Sequence, residues 1–233
     1  ILGMFSTRGR RHCFFYIDFS LYYFHMSHRL FLAIPLPPPI VSALVKFQGA
    51  QDVPDVRWTH KENLHITVHF FGTVEDERIG ELVECLEDAI VGIPPFELEM
   101  GDIKFGPPNK PPRMVWLSFK PSGEFKVLVE GIRAGIRASL GMRSESHSPT
   151  AHVTVARFKD PLAANDIKLE TFKRAQPIVP VDTLILFESD LKQGGPEYAP
   201  IQTFTLGSHE VPSPLYRTSP HPSPQSREGV DRI

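Results

Sequence analysis

Two short segments of the chain share a pattern of histidine and threonine that points to acid–base chemistry. The motifs begin at His65 and His152 and read His-Ile-Thr-Val and His-Val-Thr-Val. Both lie in apolar, β-branched stretches that predict strands, and side chains on a strand alternate between its two faces. His65 and Thr67 therefore point to one face of their strand, and His152 and Thr154 do the same on the other.

If the two strands meet at a cleft, two imidazoles and two hydroxyls converge there. One imidazole can take a proton from an attacking oxygen while the other gives a proton to a leaving oxygen, since an imidazole pKa near 6.5 suits both tasks. The hydroxyls of Thr67 and Thr154 can donate hydrogen bonds to the non-bridging oxygens of a phosphoryl group. One motif alone would indicate a structural strand histidine, whereas two matched motifs predict phosphate ester chemistry.

The elements that must position these motifs are predicted from hydrophobic periodicity. Strands are predicted at residues 29–34, 64–71, 96–103, 114–119, 151–158, 182–188 and 201–206. Helices are predicted at residues 40–47, 75–91, 124–140 and 166–175, with Gly141 ending the third. Strands outnumber helices and several are neighbours in sequence, which favours an α+β fold with antiparallel sheets. The spacing of the two motifs predicts two similar lobes of sheet and helices around a central cleft.

The paired motifs resemble those of the 2H phosphoesterase superfamily. The flanking sequence is similar to that of the RNA 2′,3′-cyclic phosphodiesterases, also called 2′-5′ RNA ligases, over about residues 29–206. The segments that carry this likeness are Arg57-Trp58-Thr59, Asn63-Leu64-His65, Phe70-Phe71-Gly72, Pro112-Arg113-Met114-Val115-Trp116 and a closing stretch from Phe187 to Leu206.

The resemblance implies a bilobal domain with pseudo-twofold symmetry, in which His65 and His152 hydrolyse an RNA 2′,3′-cyclic phosphate to a 2′-phosphate without metal or cofactor. It implies phosphate contacts from Thr67, Thr154 and Arg157. Strand alternation places Arg157 opposite to His152, so this role requires the strand to twist or end before Arg157. Three alternatives remain: 2′-5′ ligation of tRNA halves, hydrolysis of a small cyclic nucleotide phosphate, and RNA or nucleotide binding without catalysis.

Three further residues are candidate substrate contacts. Alternation from His65 puts His69 on the cleft face, Trp58 could stack on an RNA base, and Arg113 in a proline-rich loop could meet the RNA backbone. For each, a solvated or packed position is the alternative. We predict no metal site at His60, His65 and His69, because four residues of strand span roughly 13 Å.

Composition sets the outer limits of these predictions. The 233 residues are 41% apolar, enough for one or two domains, and the net charge of −2 excludes a polybasic RNA coat. Two cysteines are too few for a disulfide framework, and the chain holds no run of 18 apolar residues. We expect residues 1–26 to be a disordered or non-native extension, residues 27–206 the domain, and residues 207–233 a disordered Pro/Ser-rich tail. A cytoplasmic monomer without membrane contact is expected.

Overall fold

A computed structural model describes residues 27–142, 149–169, 177–193 and 195–207. In chain order the elements are β1 (Ser27–Pro35), α1 (Pro38–Gly49), β2 (Val56–Trp58), β3 (His65–Glu75), α2 (Ile79–Ile90), β4 (Phe96–Gly106), β5 (Met114–Phe119), α3 (Gly123–Leu140), β6 (His152–Phe158), β7 (Ile178–Val181), β8 (Thr183–Lys192) and β9 (Gly195–Thr205). Short 3-10 helices occupy Lys61–Asn63, Asp76–Arg78 and Pro161–Asp166. The predicted extension at residues 1–26, and the predicted tail beyond residue 207, lie outside the described residues.

The strands form an antiparallel sheet in the order β7-β4-β5-β6-β3-β1-β8-β9, with β2 paired to β6. The two motif strands, β3 and β6, are neighbours in the middle of this sheet and pair through Ile66 and Val153. Each lobe contains a strand, a helix and a motif strand, which are β1-α1-β3 in one and β5-α3-β6 in the other. The predicted α+β fold with two similar lobes is confirmed, and the lobes join directly at the motif strands.

One hydrophobic core lies between the helices and one face of the sheet. Leu44 of α1, Leu86 of α2 and Ile132 of α3 are fully buried in the same cluster as Ile66 and Val153 of the motif strands. Because alternate strand residues face opposite ways, burial of Ile66 and Val153 turns the motif histidines and threonines to the other face, where they remain half-buried. Core packing therefore fixes the direction of the candidate catalytic side chains.

Helix α3 has local signals at both ends, and its end at Gly141 confirms the prediction. The Ser122 hydroxyl accepts a hydrogen bond from the Phe125 backbone N–H at 3.1 Å and caps the first turn. Gly141 ends the helix with a φ of 63°, in the left-handed region that glycine adopts without strain. No described helix is both long enough and apolar enough to cross a membrane.

Two helical predictions differ from the structure. Of the stretch predicted as a helix over residues 75–91, Glu75 ends β3, Asp76–Arg78 form a 3-10 turn, and the α-helix begins at Ile79. The helix predicted from residue 166 is wrong at its start, because the chain forms a 3-10 helix that ends there. Asp160 caps that earlier turn by accepting a hydrogen bond from the Leu162 N–H at 2.9 Å. The rest of the predicted helix lies mostly outside the described residues.

Candidate active site

The four motif side chains form a compact group on the cleft face of the sheet. Since Ile66 lies opposite Val153 in an antiparallel pair, His65 lies beside Thr154, and Thr67 beside His152. The two histidines then occupy diagonal positions, roughly 7–8 Å apart at the backbone. This spacing leaves room for one phosphoryl group between two imidazoles.

Both imidazoles are held by the same kind of hydrogen bond. Nδ1 of His65 lies 2.8 Å from the Asn63 carbonyl oxygen, and Nδ1 of His152 lies 2.9 Å from the Thr150 carbonyl oxygen. A carbonyl can only accept, so Nδ1 carries the proton and Nε2 is the basic nitrogen of each neutral ring. The Thr67 hydroxyl lies 3.0 Å from Nε2 of His65 and donates to it in that state. Each ring thus presents Nε2 for proton transfer.

The environment favours the neutral form of both rings in the free protein. Burial lowers the pKa of His65 to about 4; the hydrogen bond to Asn63 opposes this, and the positive charges of His152 and Arg157 add to it. Burial also lowers the pKa of His152, with smaller contributions in the same direction from Arg157 and Lys104, against the opposing bond to Thr150. An anion placed between the two rings would raise both pKa values, since it stabilises the protonated forms.

The two imidazoles pack against different aromatic rings. Trp116 of β5 stacks on His152, with ring centroids 4.1 Å apart and an interplanar angle of 30°. His65 instead lies against Phe31, 5.0 Å between centroids, and edge-on to Tyr198 at 5.5 Å. Trp116 is therefore a neighbour of the candidate catalytic ring, an arrangement that the strand pattern alone does not reveal.

A β-bulge lies at the last residue of each motif and reverses the alternation of the strand beyond it. On β6, Ala156 pairs with Val115 and Thr154 pairs with Trp116, so Val155 is an extra residue. Val155 and Ala156 are both fully buried, and Arg157 emerges on the same face as Thr154. A phosphate-binding role for Arg157 requires the strand to change its alternation before that residue. The bulge at Val155 provides this change.

The equivalent bulge on β3 overturns the prediction for His69. His69 pairs with Leu32 and Thr67 pairs with Ala33, which leaves Val68 as the extra residue. His69 is only 4% exposed and faces away from the cleft, so its predicted place on the cleft face is wrong. Phe70 emerges instead, 56% exposed, at the position that corresponds to Arg157 on β6. Simple alternation failed here because the bulge adds one residue to the count.

The β6 bulge is held by two side chains from outside the sheet. Gln48 of α1 donates from Nε2 to the carbonyl oxygens of Thr59 and Val155, at 2.9 and 3.2 Å. The backbone N–H of Thr59 donates to the Val155 oxygen at 2.9 Å, and its hydroxyl donates to the Thr154 oxygen at 2.8 Å. These hydrogen bonds provide donors for the Val155 carbonyl at the bulge. Because they hold the backbone there, they also position Thr154 and Arg157 on either side of it.

The cleft beside the motif group has a volume of about 410 Å³. His65, Thr67 and Thr154 line it, whereas His152, diagonal to His65 on the neighbouring strand, is not among its lining residues. The rest of its wall includes three arginines and three aromatic rings, provided by Arg29, Arg57, Arg157, Trp58, Phe70 and Tyr198. Within the described ranges, no aspartate or glutamate lines this cleft. The cleft is therefore suited to an anion that carries planar rings.

Of the other two predicted substrate contacts, one lines the cleft and one does not. Trp58 is half-buried in the cleft wall and also packs edge-on against Phe47, with centroids 6.1 Å apart. Arg113 is exposed and is not part of the cleft wall. His60 and His65 both line the cleft but His69 lies behind the sheet, so these three histidines do not converge. Arg29 and Arg57 were not predicted as site residues; the only sequence signal was the segment Arg57-Trp58-Thr59.

Comparison with known proteins supports the class that the fold and the paired motifs define. Residues 34–116 match the family model described as LigT like phosphoesterase. An RNA 2′,3′-cyclic phosphodiesterase of Archaeoglobus fulgidus is 30% identical over 184 residues, which cover 76% of this chain and 99% of that protein. A protein of the same name from Geobacillus stearothermophilus is 24% identical over 179 residues, 76% of this chain. The chain spans only 56% of the length of that relative.

A solved structure shows the same fold. The crystal structure of Escherichia coli LigT complexed with 3′-AMP matches with a TM-score of 0.61 and 24% sequence identity, and the match covers 78% of this chain and 99% of that one. The chain belongs to the LigT-like phosphoesterase family, as the resemblance of its motifs predicted.

Proposed function

We propose that this protein hydrolyses RNA 2′,3′-cyclic phosphate ends to 2′-phosphates by acid–base catalysis from His65 and His152, without a metal ion. The observation that carries the proposal is the diagonal placement of two imidazoles with Nδ1 anchored and Nε2 available. A water oxygen attacks phosphorus in line with the 3′ oxygen and loses its proton to one Nε2. The P–O3′ bond breaks as the other Nε2 gives its proton to the 3′ oxygen.

The phosphate is bound in this proposal by Thr67, Thr154 and Arg157. The two hydroxyls lie beside the imidazoles, where they can donate hydrogen bonds to non-bridging oxygens as charge accumulates in the transition state. Arg157 supplies a guanidinium on the same face of β6. A bound monoanion also raises the pKa of both imidazoles, which lets the acid carry its proton near neutral pH.

In this proposal, the base of the terminal nucleotide lies against the aromatic residues of the cleft wall. Phe70 projects into it with more than half of its surface exposed, and Trp58 and Tyr198 form other parts of the wall. An exposed ring in a concave site can stack on an unpaired base, which is the usual basis of single-stranded RNA recognition. The proposed partner is therefore an RNA end.

The test is incubation with an RNA oligonucleotide that ends in a 2′,3′-cyclic phosphate, with and without chelator. We expect a 2′-phosphate product and a rate that chelator does not change. His65→Ala and His152→Ala should each lower the rate by at least about 10²-fold. His69→Gln, on the same strand but facing the core side, should retain a rate within about two-fold once its folding is confirmed.

Three results would contradict the proposal. One is near-wild-type turnover by either His→Ala variant, because each imidazole is assigned a proton transfer. Another is loss of activity on chelation. The third is tight binding of the RNA with no product by mass spectrometry, which would indicate a binding module. A 2′-5′-linked product from two RNA ends would instead identify the reverse reaction, ligation.

A further inference from the structure

Two arginines stand side by side on the wall of the cleft. Arg57 of β2 lies directly opposite Arg157 of β6 in the antiparallel register. Directly opposite residues have Cβ atoms roughly 4.5–5.5 Å apart and project from the same face of the sheet. Both side chains are exposed and both line the cleft. The pair thus places two positive charges close together, next to the motif group.

Nothing in the described part of the chain neutralises this pair. Neither guanidinium forms an ion pair with a described carboxylate, and Nη1 of Arg157 donates only to the sulfur of Met114, at 3.1 Å. Like charges directly opposite on neighbouring strands destabilise the sheet. An anion bound between the two guanidiniums would convert this repulsion into attraction, as charge-assisted hydrogen bonds to phosphate are strong.

The position of Arg57 separates it from the place of the cyclic phosphate. β3 pairs with the first half of β6, at Val153, and β2 pairs with its second half, from Ala156 to Phe158. Arg157 therefore lies three residues beyond Thr154. Three residues of regular strand span roughly 10 Å, and the bulge shortens this distance. The side chain of Arg157 can turn back toward the scissile phosphate, whereas Arg57 lies on β2, beside the half of β6 that is farther from the motif.

We propose that Arg57 forms a second anion subsite that binds the internucleotide phosphodiester next to the cyclic phosphate end, with Arg157 lying between this subsite and the cyclic phosphate. The inference rests on the proposed function and narrows it to oligonucleotide substrates. A mononucleoside cyclic phosphate has no group for this subsite. The subsite contributes to binding of the substrate, so removing it should raise KM and leave kcat almost unchanged.

The test uses two dinucleotides that each end in a 2′,3′-cyclic phosphate. One has the natural phosphodiester between its nucleosides, and the other has an uncharged methylphosphonate at that linkage. For the wild-type protein we expect kcat/KM to fall about 10-fold when the linkage is uncharged, mainly through KM. Arg57→Gln should lose about the same factor on the natural linkage and show no further fall on the uncharged one.

Salt dependence gives a second readout. Removal of one phosphate contact should reduce the slope of log kcat/KM against log salt by about one for the natural dinucleotide. Arg137→Gln, which removes an exposed arginine of α3 that is not part of the cleft wall, serves as the matched control and should keep both the rate and the slope.

The outcomes separate this inference from the proposed function. No product from wild-type protein on either dinucleotide would overturn the proposed function. Equal wild-type kcat/KM on the two linkages would overturn the second subsite while the proposed function stands. An equal loss in Arg57→Gln on both linkages would also overturn the subsite, because it would show that Arg57 acts on the cyclic phosphate or on folding.

Discussion

The strongest consequence of the buried site is that acid should destabilise the fold through His65. The imidazole has a pKa of about 4 in the folded protein, because burial disfavours its charged form, and an ordinary pKa of 6.5 in the unfolded chain. Between these two values the unfolded state binds more protons than the folded state. The free energy of unfolding therefore falls as the pH falls from about 6.5 to about 4.

The size of this effect is set by the two pKa values. Linkage gives a loss of about 2 kcal/mol from His65 between pH 7 and pH 5. For a chain of this length that corresponds to a fall in Tm of about 4–8 °C. The replacement His65→Asn removes the titrating group while its side-chain amide can still donate to the Asn63 carbonyl.

The measurement is urea unfolding of the wild-type protein and of His65→Asn at pH 7 and pH 5. The wild-type free energy of unfolding should drop by about 2 kcal/mol more than that of the variant over this interval. An NMR titration should also show the His65 ring still neutral at pH 5 in the folded protein. The reasoning is refuted if both proteins lose the same free energy, or if the His65 resonance titrates near pH 6.5.

Two further predictions concern the residues that hold the site in place. A Cβ on Gly106 would overlap the ring of Trp116, so Gly106→Ala should displace the indole from His152. We expect kcat/KM to fall by about 10-fold and the ring-current shift of His152 to change; wild-type values for both would contradict this. Gln48→Leu removes one of the donors to the Val155 carbonyl at the bulge. The free energy of unfolding should therefore fall by about 1 kcal/mol, and kcat/KM should fall with it. An unchanged free energy of unfolding in urea would contradict this prediction.

Most of the elements could be predicted because their signals are local. Residues 114–119 were predicted as a strand with the bounds that the structure shows for β5, and Gly141 ends α3 as predicted. The two motifs could be recognised from residue types alone, since buried apolar residues alternate with histidine and threonine. Short elements escaped prediction, because the three residues of β2 and the four of β7 are too few to show a period.

The amino-acid sequence alone is enough to predict the fold class, the two motifs and the face to which their side chains point. Those properties depend on apolar periodicity along one segment of chain, which burial of one face enforces. The path of the chain beyond each motif depends instead on tertiary structure, because a bulge arises from how a strand pairs with its neighbours. Val68 and Val155 each add one residue to the count, so His69 enters the buried layer and Arg157 enters the cleft. Pairing of β2 with β6 likewise placed Arg57 beside Arg157, a contact between segments 100 residues apart that no local pattern contains.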